Sequence, residues 1–189
     1  MRSLLLAAML GLICTACSLP AKNHQMRTEI APASGQPQLM NIRIERWGTT
    51  RFSGLIALQE RGASLYYVLL DATGLKLMEA LVNGDGTYAL IRAHGALKET
   101  VLPELLSESL HKIYLLEPDR RPCSRNLLLA LCQKEAEKNG WRKYAALGPL
   151  TLWSVASQGA TPGRNWPTSS FSQPWIGVKI ILTQNNQLN

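Results

Sequence analysis

The side chains best suited to chemistry in this sequence are four cysteines and three histidines. A thiol beside an imidazole can act as a nucleophile, and Cys123 or Cys132 with His111 is the combination that the sequence offers. None of the three histidines, His24, His94 and His111, has a Cys, Asp or His at a metal-ligand spacing. The sequence also lacks the Gly-x-Ser-x-Gly motif of serine hydrolases. We therefore expect no enzyme, no metal site and no cofactor.

The N-terminal segment has the charged, apolar and small-residue plan of a secretory signal. Arg2 supplies the charge, residues 4–13 form an almost unbroken apolar run, and Thr15 and Ala16 are small. A membrane-spanning helix needs ~20 apolar residues, about twice the length of this run. The pattern therefore predicts a signal over residues 1–16 that is removed on export.

The junction after this signal resembles the lipobox of bacterial lipoproteins. Thr15 and Ala16 occupy its two small positions, Cys17 follows them, and Cys14 stands where Leu is usual. The resemblance implies that Cys17 carries a diacylglycerol and an N-acyl chain such as palmitate, which together anchor a protein stably. Because Ser18 replaces the Asp that retains enteric lipoproteins at the inner membrane, it also implies the outer membrane, facing the periplasm. The alternative is ordinary secretion with Cys17 as a plain thiol.

The charge balance adds a hint about partners. The chain has 20 basic and 13 acidic residues and a net charge of +7. A basic periplasmic domain is attracted to anionic headgroups or to an acidic partner, although the charge could equally serve solubility alone. An export signal argues against nucleic acid. We expect a flexible tether over residues 17–38, a single domain over residues 39–189, and a monomer.

Cys123 and Cys132 remain once the other two cysteines are assigned to the signal and the anchor. An oxidising periplasm favours a disulfide between them. Within one α-helix they would be ~13.5 Å apart along the axis, whereas a disulfide tolerates Cα separations only up to ~7 Å. The bond would therefore require Cys123 to lie in a loop that folds back onto the helix. Two ordinary buried thiols are the alternative.

The periodicity of apolar residues predicts the elements of the domain. Alternation and turn residues favour five consecutive strands, which short connections make an antiparallel meander. Two amphipathic helices follow, the first opened by Pro103 and the second capped by Ser124. Glu108 and Lys112 are expected on the polar side of the first helix, where they form an i,i+4 pair. Two further strands complete the chain, separated by a loop over residues 159–174. The predicted strands cover residues 39–45, 52–60, 65–70, 75–82, 88–92, 150–156 and 175–183, and the helices cover residues 104–115 and 124–139.

These elements predict a mainly β (α+β) fold, a curled antiparallel sheet forming an open half-barrel covered by two helices. Together with Phe52-Ser53-Gly54 and the tethered cysteine, they resemble the LolA/LolB class of lipoprotein carrier and receptor over residues 50–183. They also resemble related outer-membrane lipoproteins of unknown function. The resemblance implies that the interior holds acyl chains, in lipoprotein or lipid transport or in outer-membrane biogenesis. In the receptor, a Leu in the turn after the third strand contacts the membrane. Thr73 occupies that position here, and Leu75 lies two residues later.

The sequence also suggests which residues face the interior. Strands that are apolar on both faces, beneath helices with an apolar stripe, indicate either a filled core or a chamber that accepts a lipid. A filled core would favour a scaffold or interaction lipoprotein instead. Four tryptophans, at 141, 153, 166 and 175, could border such a chamber or anchor the core. The expected lining residues are Ile56, Val68, Leu90, Leu106, Leu110, Ile113, Val178 and Ile180.

Overall fold

The computed structural model describes residues 35–136, 140–158 and 168–185. The predicted signal, the predicted lipidation site Cys17 and His24 lie outside the described residues. The structure is mainly β, and its strands form one open antiparallel sheet. The strands are β1 (Gln38–Arg46), β2 (Thr49–Arg61), β3 (Ser64–Leu70), β4 (Lys76–Val82), β5 (Tyr88–Ala93), β6 (Cys123–Asn126), β7 (Leu129–Ala136), β8 (Gly140–Leu147), β9 (Leu150–Gln158), β10 (Thr168–Gln173) and β11 (Val178–Gln184).

The order of strands across the sheet is β5-β4-β3-β2-β1-β11-β10-β9-β8-β7-β6. The meander predicted for the first five strands is confirmed, because each of them pairs with its neighbour in sequence. The last strand, β11, pairs with β1 and joins this meander to the C-terminal one. The two edge strands, β5 and β6, are therefore consecutive in the chain, and the segment between them crosses from one edge of the sheet to the other.

This connection contains the helix that was predicted after Pro103. It consists of α1 (Leu102–Leu110), which continues as one π-helical turn over His111–Leu115. Pro103 stands in the first turn, where its missing N–H costs no hydrogen bond. Two short 3₁₀ turns, Gly95–Glu99 and Pro174–Ile176, complete the helical residues.

The prediction of a second helix over residues 124–139 is wrong. Its described residues form the β6–β7 hairpin, so α1 with its π turn is the single helix longer than a 3₁₀ turn among the described residues, and two covering helices are not present there. The hairpin turn is Leu127-Leu128, which carries none of the Gly, Asn or Asp residues that mark such turns. The apolar run from Leu127 to Leu131 therefore matched a buried helix as well as a strand.

Besides β6 and β7, two further strands, β8 and β10, were not predicted from the sequence. β8 lies just beyond the predicted helix stop, and β10 lies in a Ser-rich segment that was predicted as loop. In β10 the inward positions are Ser169 and Phe171, both fully buried. One apolar residue in an otherwise polar stretch gives too little alternation to indicate a strand.

Glycine shapes the sheet where strands come unusually close. A Cβ at Gly54 would overlap the carbonyl oxygen of Leu70 and the ring of Phe52. Only glycine fits at this position, which explains the glycine that ends the Phe52-Ser53-Gly54 segment.

Candidate functional site

Seven of the eight expected lining residues are brought together. Six of them are buried members of one continuous apolar cluster, and Leu90 packs against that cluster. The six are Ile56, Leu106, Leu110, Ile113, Val178 and Ile180.

Val68 does not belong to this interior. In β3 the buried positions are Leu65, Tyr67 and Leu69, and Val68 alternates with them. Because successive side chains of a strand point to opposite faces, Val68 lies on the outer face of the sheet. The expectation was wrong because β3 is apolar on both faces, which leaves its inward face undetermined from sequence alone.

The inner face of the sheet curves around α1. The apolar cluster joins residues of β4 at one side, residues of β8 at the other, and three side chains of the helix. In a flat sheet, β4 and β8 would be ~34 Å apart, because seven spacings of ~4.8 Å separate them. A helix with its side chains is only ~10–12 Å wide, so it can pack against both strands only if the sheet bends toward it.

Polar contacts fix the helix at both sides of this curve. The Tyr67 hydroxyl on β3 and the Ser107 hydroxyl on α1 are 2.8 Å apart and share a hydrogen bond. Both residues are buried. Burial disfavours the charged phenolate, so the pKa of Tyr67 is raised well above its usual value, although the bond to Ser107 acts in the other direction.

On the other side, Lys143 of β8 reaches the C-terminal end of the helix. Its ammonium donates to the backbone oxygens of Lys112 (3.2 Å) and Ile113 (3.3 Å), and also to that of Leu116. These are carbonyls that a helix end leaves without intrahelical partners. A positive charge there is also favoured by the helix dipole. Lys143 was not among the predicted interior residues because β8 was not predicted as a strand, although the alternation of Trp141, Lys143 and Ala145 indicates its inward position.

Burial dominates the electrostatics of Lys143. Only 3% of this residue is exposed, and loss of water around the ammonium lowers its pKa to about 8. The nearby carboxylate of Glu117 opposes the shift and Arg121 adds to it.

A second lysine lies at the rim of the same interior. The Lys112 ammonium is 2.6 Å from a carboxylate oxygen of Glu108, which confirms the i,i+4 pair expected on this helix. It also lies 5.7 Å from the ring centroid of Trp153 and 5.8 Å from that of Phe171, within cation–π range. The side chain was expected on the polar side of the helix, yet it is largely covered.

The turn over residues 71–75, in which Thr73 and Leu75 were predicted to contact a membrane, is ordered by the carboxylate of Asp71. Asp71 accepts hydrogen bonds from the Thr73 hydroxyl (2.7 Å), the Thr73 backbone N–H (2.8 Å) and the Leu75 backbone N–H (2.9 Å). These bonds, that of the hydroxyl first, lower the pKa of Asp71. The Leu75 side chain is 54% exposed, whereas Thr73 faces the carboxylate.

The two cysteines form the expected disulfide, by a different route from the one anticipated. Cys123 and Cys132 lie directly opposite each other in β6 and β7, with Cα atoms 4.0 Å apart. Because both are in paired strands, no loop has to fold back onto a helix.

The tryptophans fall in different environments. Trp153 is buried, Trp141 is half-buried against the apolar cluster, and Trp175 is exposed. Trp166 lies outside the described residues. The indole N–H of Trp175 donates to the backbone oxygen of Thr151 (2.8 Å).

The histidines show no convergence with other metal-binding groups. Nε2 of His111 lies 3.0 Å from the backbone oxygen of Gly84, and its ring covers Gly86. Across residues 35–136, 140–158 and 168–185, no three His, Cys, Asp or Glu side chains are grouped as metal ligands would be. In the same ranges, no helix has both the length and the apolar character to cross a membrane.

Comparison with protein-family models gives no match for this sequence, and a search of the curated proteins also finds no match.

Proposed function

We propose that this chain is a lipoprotein, anchored in the outer membrane through lipid on Cys17, whose periplasmic domain binds a lipid or acyl chain in its apolar interior. Its cargo would be a lipid or a lipoprotein on its way through the periplasm, or a component used in outer-membrane biogenesis. The disulfide supports an oxidising compartment, since such bonds are rare in the bacterial cytosol.

The observation that carries the proposal is the mismatch between the sheet and the helix that covers it. Eleven strands contribute to one sheet, and the helix over its apolar face has 14 residues. On a flat sheet a helix ~10 Å wide would cover about two strands at their ~4.8 Å spacing, and here the bend of the sheet brings further strands against it. The remaining apolar face must be covered by side chains across the curve of the sheet or by a bound apolar molecule. A half-barrel with an acyl chain beside the helix would satisfy this requirement.

We infer a binding rather than a catalytic function from the partners of the two inward lysine ammonium groups. The Lys143 ammonium is taken up by helix carbonyls and that of Lys112 by Glu108. Lys143 therefore holds the end of the helix against β8, and Lys112 is paired with a carboxylate of its own helix, so both charges are already compensated.

The second candidate is a scaffold lipoprotein with a filled core. It is favoured by the complete burial of Ile56, Leu106 and Leu110, which have no solvent exposure. If side chains alone achieve this, the interior has no room for cargo, and the protein would act through its surface.

Extraction of bound lipid distinguishes the two. The mature protein should be purified from membranes in a detergent unrelated to bacterial lipids, denatured, and analysed by mass spectrometry. We expect a lipid in addition to the chains covalently attached to Cys17, in a stoichiometric amount. Its absence in repeated preparations, with no saturable uptake of a fluorescent fatty acid, would favour the scaffold.

The anchor itself is tested by Cys17→Ser, with Cys14→Ser as the matched control. We expect the Cys17→Ser chain to lack lipid and keep its signal, because the lipoprotein peptidase requires the modified cysteine. The Cys14→Ser chain should be lipidated and processed normally. Membrane fractionation of the Cys17→Ser protein at wild-type level and processed size would show that the anchor is wrong.

A further inference from the structure

Most of the exposed apolar surface of the described residues lies at one end of the sheet. Eleven large apolar side chains are exposed across the described residues, and eight of them lie in four connections at this end or in the strand residues that border those connections. The connections are β1–β2, β6–β7, β8–β9 and β10–β11. We call the eight side chains the apolar rim: Trp47, Leu127, Leu128, Leu129, Leu147, Leu150, Trp175 and Ile176.

The rim is continuous from one connection to the next. Trp47 donates its backbone N–H to Gly177 (2.7 Å), and its ring lies where a Cβ on Gly177 would be. Trp175 reaches across to Thr151 at the start of β9. Gly148 in the β8–β9 turn donates to the backbone oxygen of Leu128 (3.2 Å). Leu75 is at the same end but set back, because β3 ends opposite Leu55, well inside β2.

Leu127 shows that this surface does not exist to stabilise the fold. Its side chain is 100% exposed, and its backbone has a φ of 50°, a conformation uncommon for bulky residues. Asn or Gly would fit this turn position better and would avoid exposing a hydrocarbon side chain. Its neighbour Leu128 is 73% exposed. Such departures from low energy concentrate at functional positions.

The charges around the rim match an anionic surface. The four connecting segments and their flanks, residues 46–51, 125–129, 147–150 and 174–177, contain Arg46, Arg51 and Arg125 and no acidic residue. The described turns at the opposite end, over residues 61–64 and 83–87, contain none of the exposed large apolar side chains. Tryptophan and leucine beside arginine are the residues that enter the headgroup region of a bilayer.

We propose that the apolar rim docks on the anionic phospholipid surface of a membrane, so that Leu127 and Leu128 enter the headgroup boundary beside Arg125. This contact goes beyond the anchor, because the anchor alone leaves the orientation of the domain free. It rests on the proposed anchor in one respect, the reach of the tether.

The tether permits this orientation. β1 begins at Gln38, at the end of the sheet opposite Trp47. The ~20 residues between Cys17 and Gln38 can span up to ~70 Å when extended, whereas β1 itself is ~30 Å long. The chain can therefore run past the domain and leave the rim against the membrane that holds the lipid.

The test places a probe at each end of the sheet in the full mature chain. Leu128→Cys and, as the matched control, Ala63→Cys in the exposed β2–β3 turn are labelled with an environment-sensitive nitrobenzoxadiazole dye. Cys123 and Cys132 are bonded to each other and do not react. Each protein is reconstituted in vesicles of phosphatidylethanolamine and phosphatidylglycerol, or of phosphatidylcholine alone, with spin-labelled lipid as quencher.

We expect the probe at residue 128 to shift to shorter wavelength and to be quenched at least about threefold more than the probe at residue 63, as for a side chain within the headgroup boundary. The difference should be smaller on phosphatidylcholine and in high salt. In the unlabelled wild type, brominated lipid should quench the tryptophan fluorescence. In an unlabelled Leu127→Asp/Leu128→Asp chain, the tryptophan fluorescence should be nearly the same in vesicles with and without brominated lipid. A thermal melt confirms that this chain folds.

Equal quenching of the two probes overturns the proposal. Shielding of the probe at residue 128 that grows with protein concentration at constant lipid would assign the rim to a second copy, and also overturns it. Failure of the anchor is distinguished from both outcomes by flotation of the Leu127→Asp/Leu128→Asp chain with vesicles. A lipidated chain stays bound to the vesicles without the rim. A chain without lipid does not float with them.

Discussion

Two lysine side chains reach the interior of the sheet from different elements, and they differ in how burial affects them. Lys112 retains a carboxylate partner, Glu108, and aromatic faces. Lys143 donates to neutral carbonyls and lies 5.2 Å from the ring centroid of Trp141, and the carboxylate of Glu117 offsets the cost of its burial only in part. The electrostatic cost of burial therefore falls mainly on Lys143, where it appears as the lowered pKa.

This cost predicts that stability rises with pH above about 8. The pKa of Lys143 is about 8 in the folded protein and 10.5 as the reference value, so between these values the unfolded chain binds more protons and unfolding becomes less favourable as pH rises. From pH 8 to about 9.5 we expect a gain of roughly 1–2 kcal/mol. Urea unfolding at each pH measures it.

Lys143→Met should abolish this rise, and Arg142→Met, on the same strand but exposed, should keep it. The range stops below pH 10 because tyrosines act in the opposite direction there. Burial raises the pKa of Tyr66 to about 12, so the unfolded chain loses its phenolic proton first and stability falls. An identical pH dependence in the wild type and Lys143→Met would contradict the assignment.

The β6–β7 hairpin is the element whose structure departs most from the sequence pattern. The first five strands could be predicted because they alternate and end at residues such as Asn83-Gly84, whose conformations stop a strand. The β6–β7 hairpin turns at two leucines, and edge strand β6 is exposed on much of both faces. Neither the periodicity of apolar residues nor the residues of the turn indicate this hairpin in the sequence. The pairing of β7 with β8 gives β7 its strand conformation.

The disulfide compensates for the weak local signals of this hairpin. β6 pairs with β7 alone, and the bond holds it there. We expect that alkylation of the denatured protein leaves Cys123 and Cys132 unmodified until reductant is added. Cys123→Ser/Cys132→Ser should lower the free energy of unfolding by roughly 2–3 kcal/mol, the chain-entropy value for a loop this short. Reductant should then have no effect on the double variant's urea midpoint. Alkylation of both thiols without reductant would contradict the bond.

For the whole molecule, the sequence predicted a mainly β fold and most of the interior, but not how the sheet is completed. Ile56 and Ile180 were placed inward correctly because the polar residues Ser53 and Lys179 mark the outer faces of β2 and β11. The pairing of β1 with β11 joins residues more than 130 positions apart, and no local pattern encodes such a contact. The apolar rim was also missed, because it forms only when four connections meet at one end of the sheet.

Whether the interior is hollow or filled is decided by adding volume to it at Leu110, which is fully buried on the inner face of α1. In a filled core, Leu110→Trp overpacks and costs ~1–3 kcal/mol. In a chamber that accepts an acyl chain, the indole occupies the ligand's space, so the melting temperature should change little while saturable uptake of a fluorescent fatty acid is lost. Val68→Trp is the control, because Val68 lies on the outer face, and it should change neither. A large loss of stability in Leu110→Trp, together with a wild type that takes up no fatty acid, would establish the filled core and with it the scaffold function.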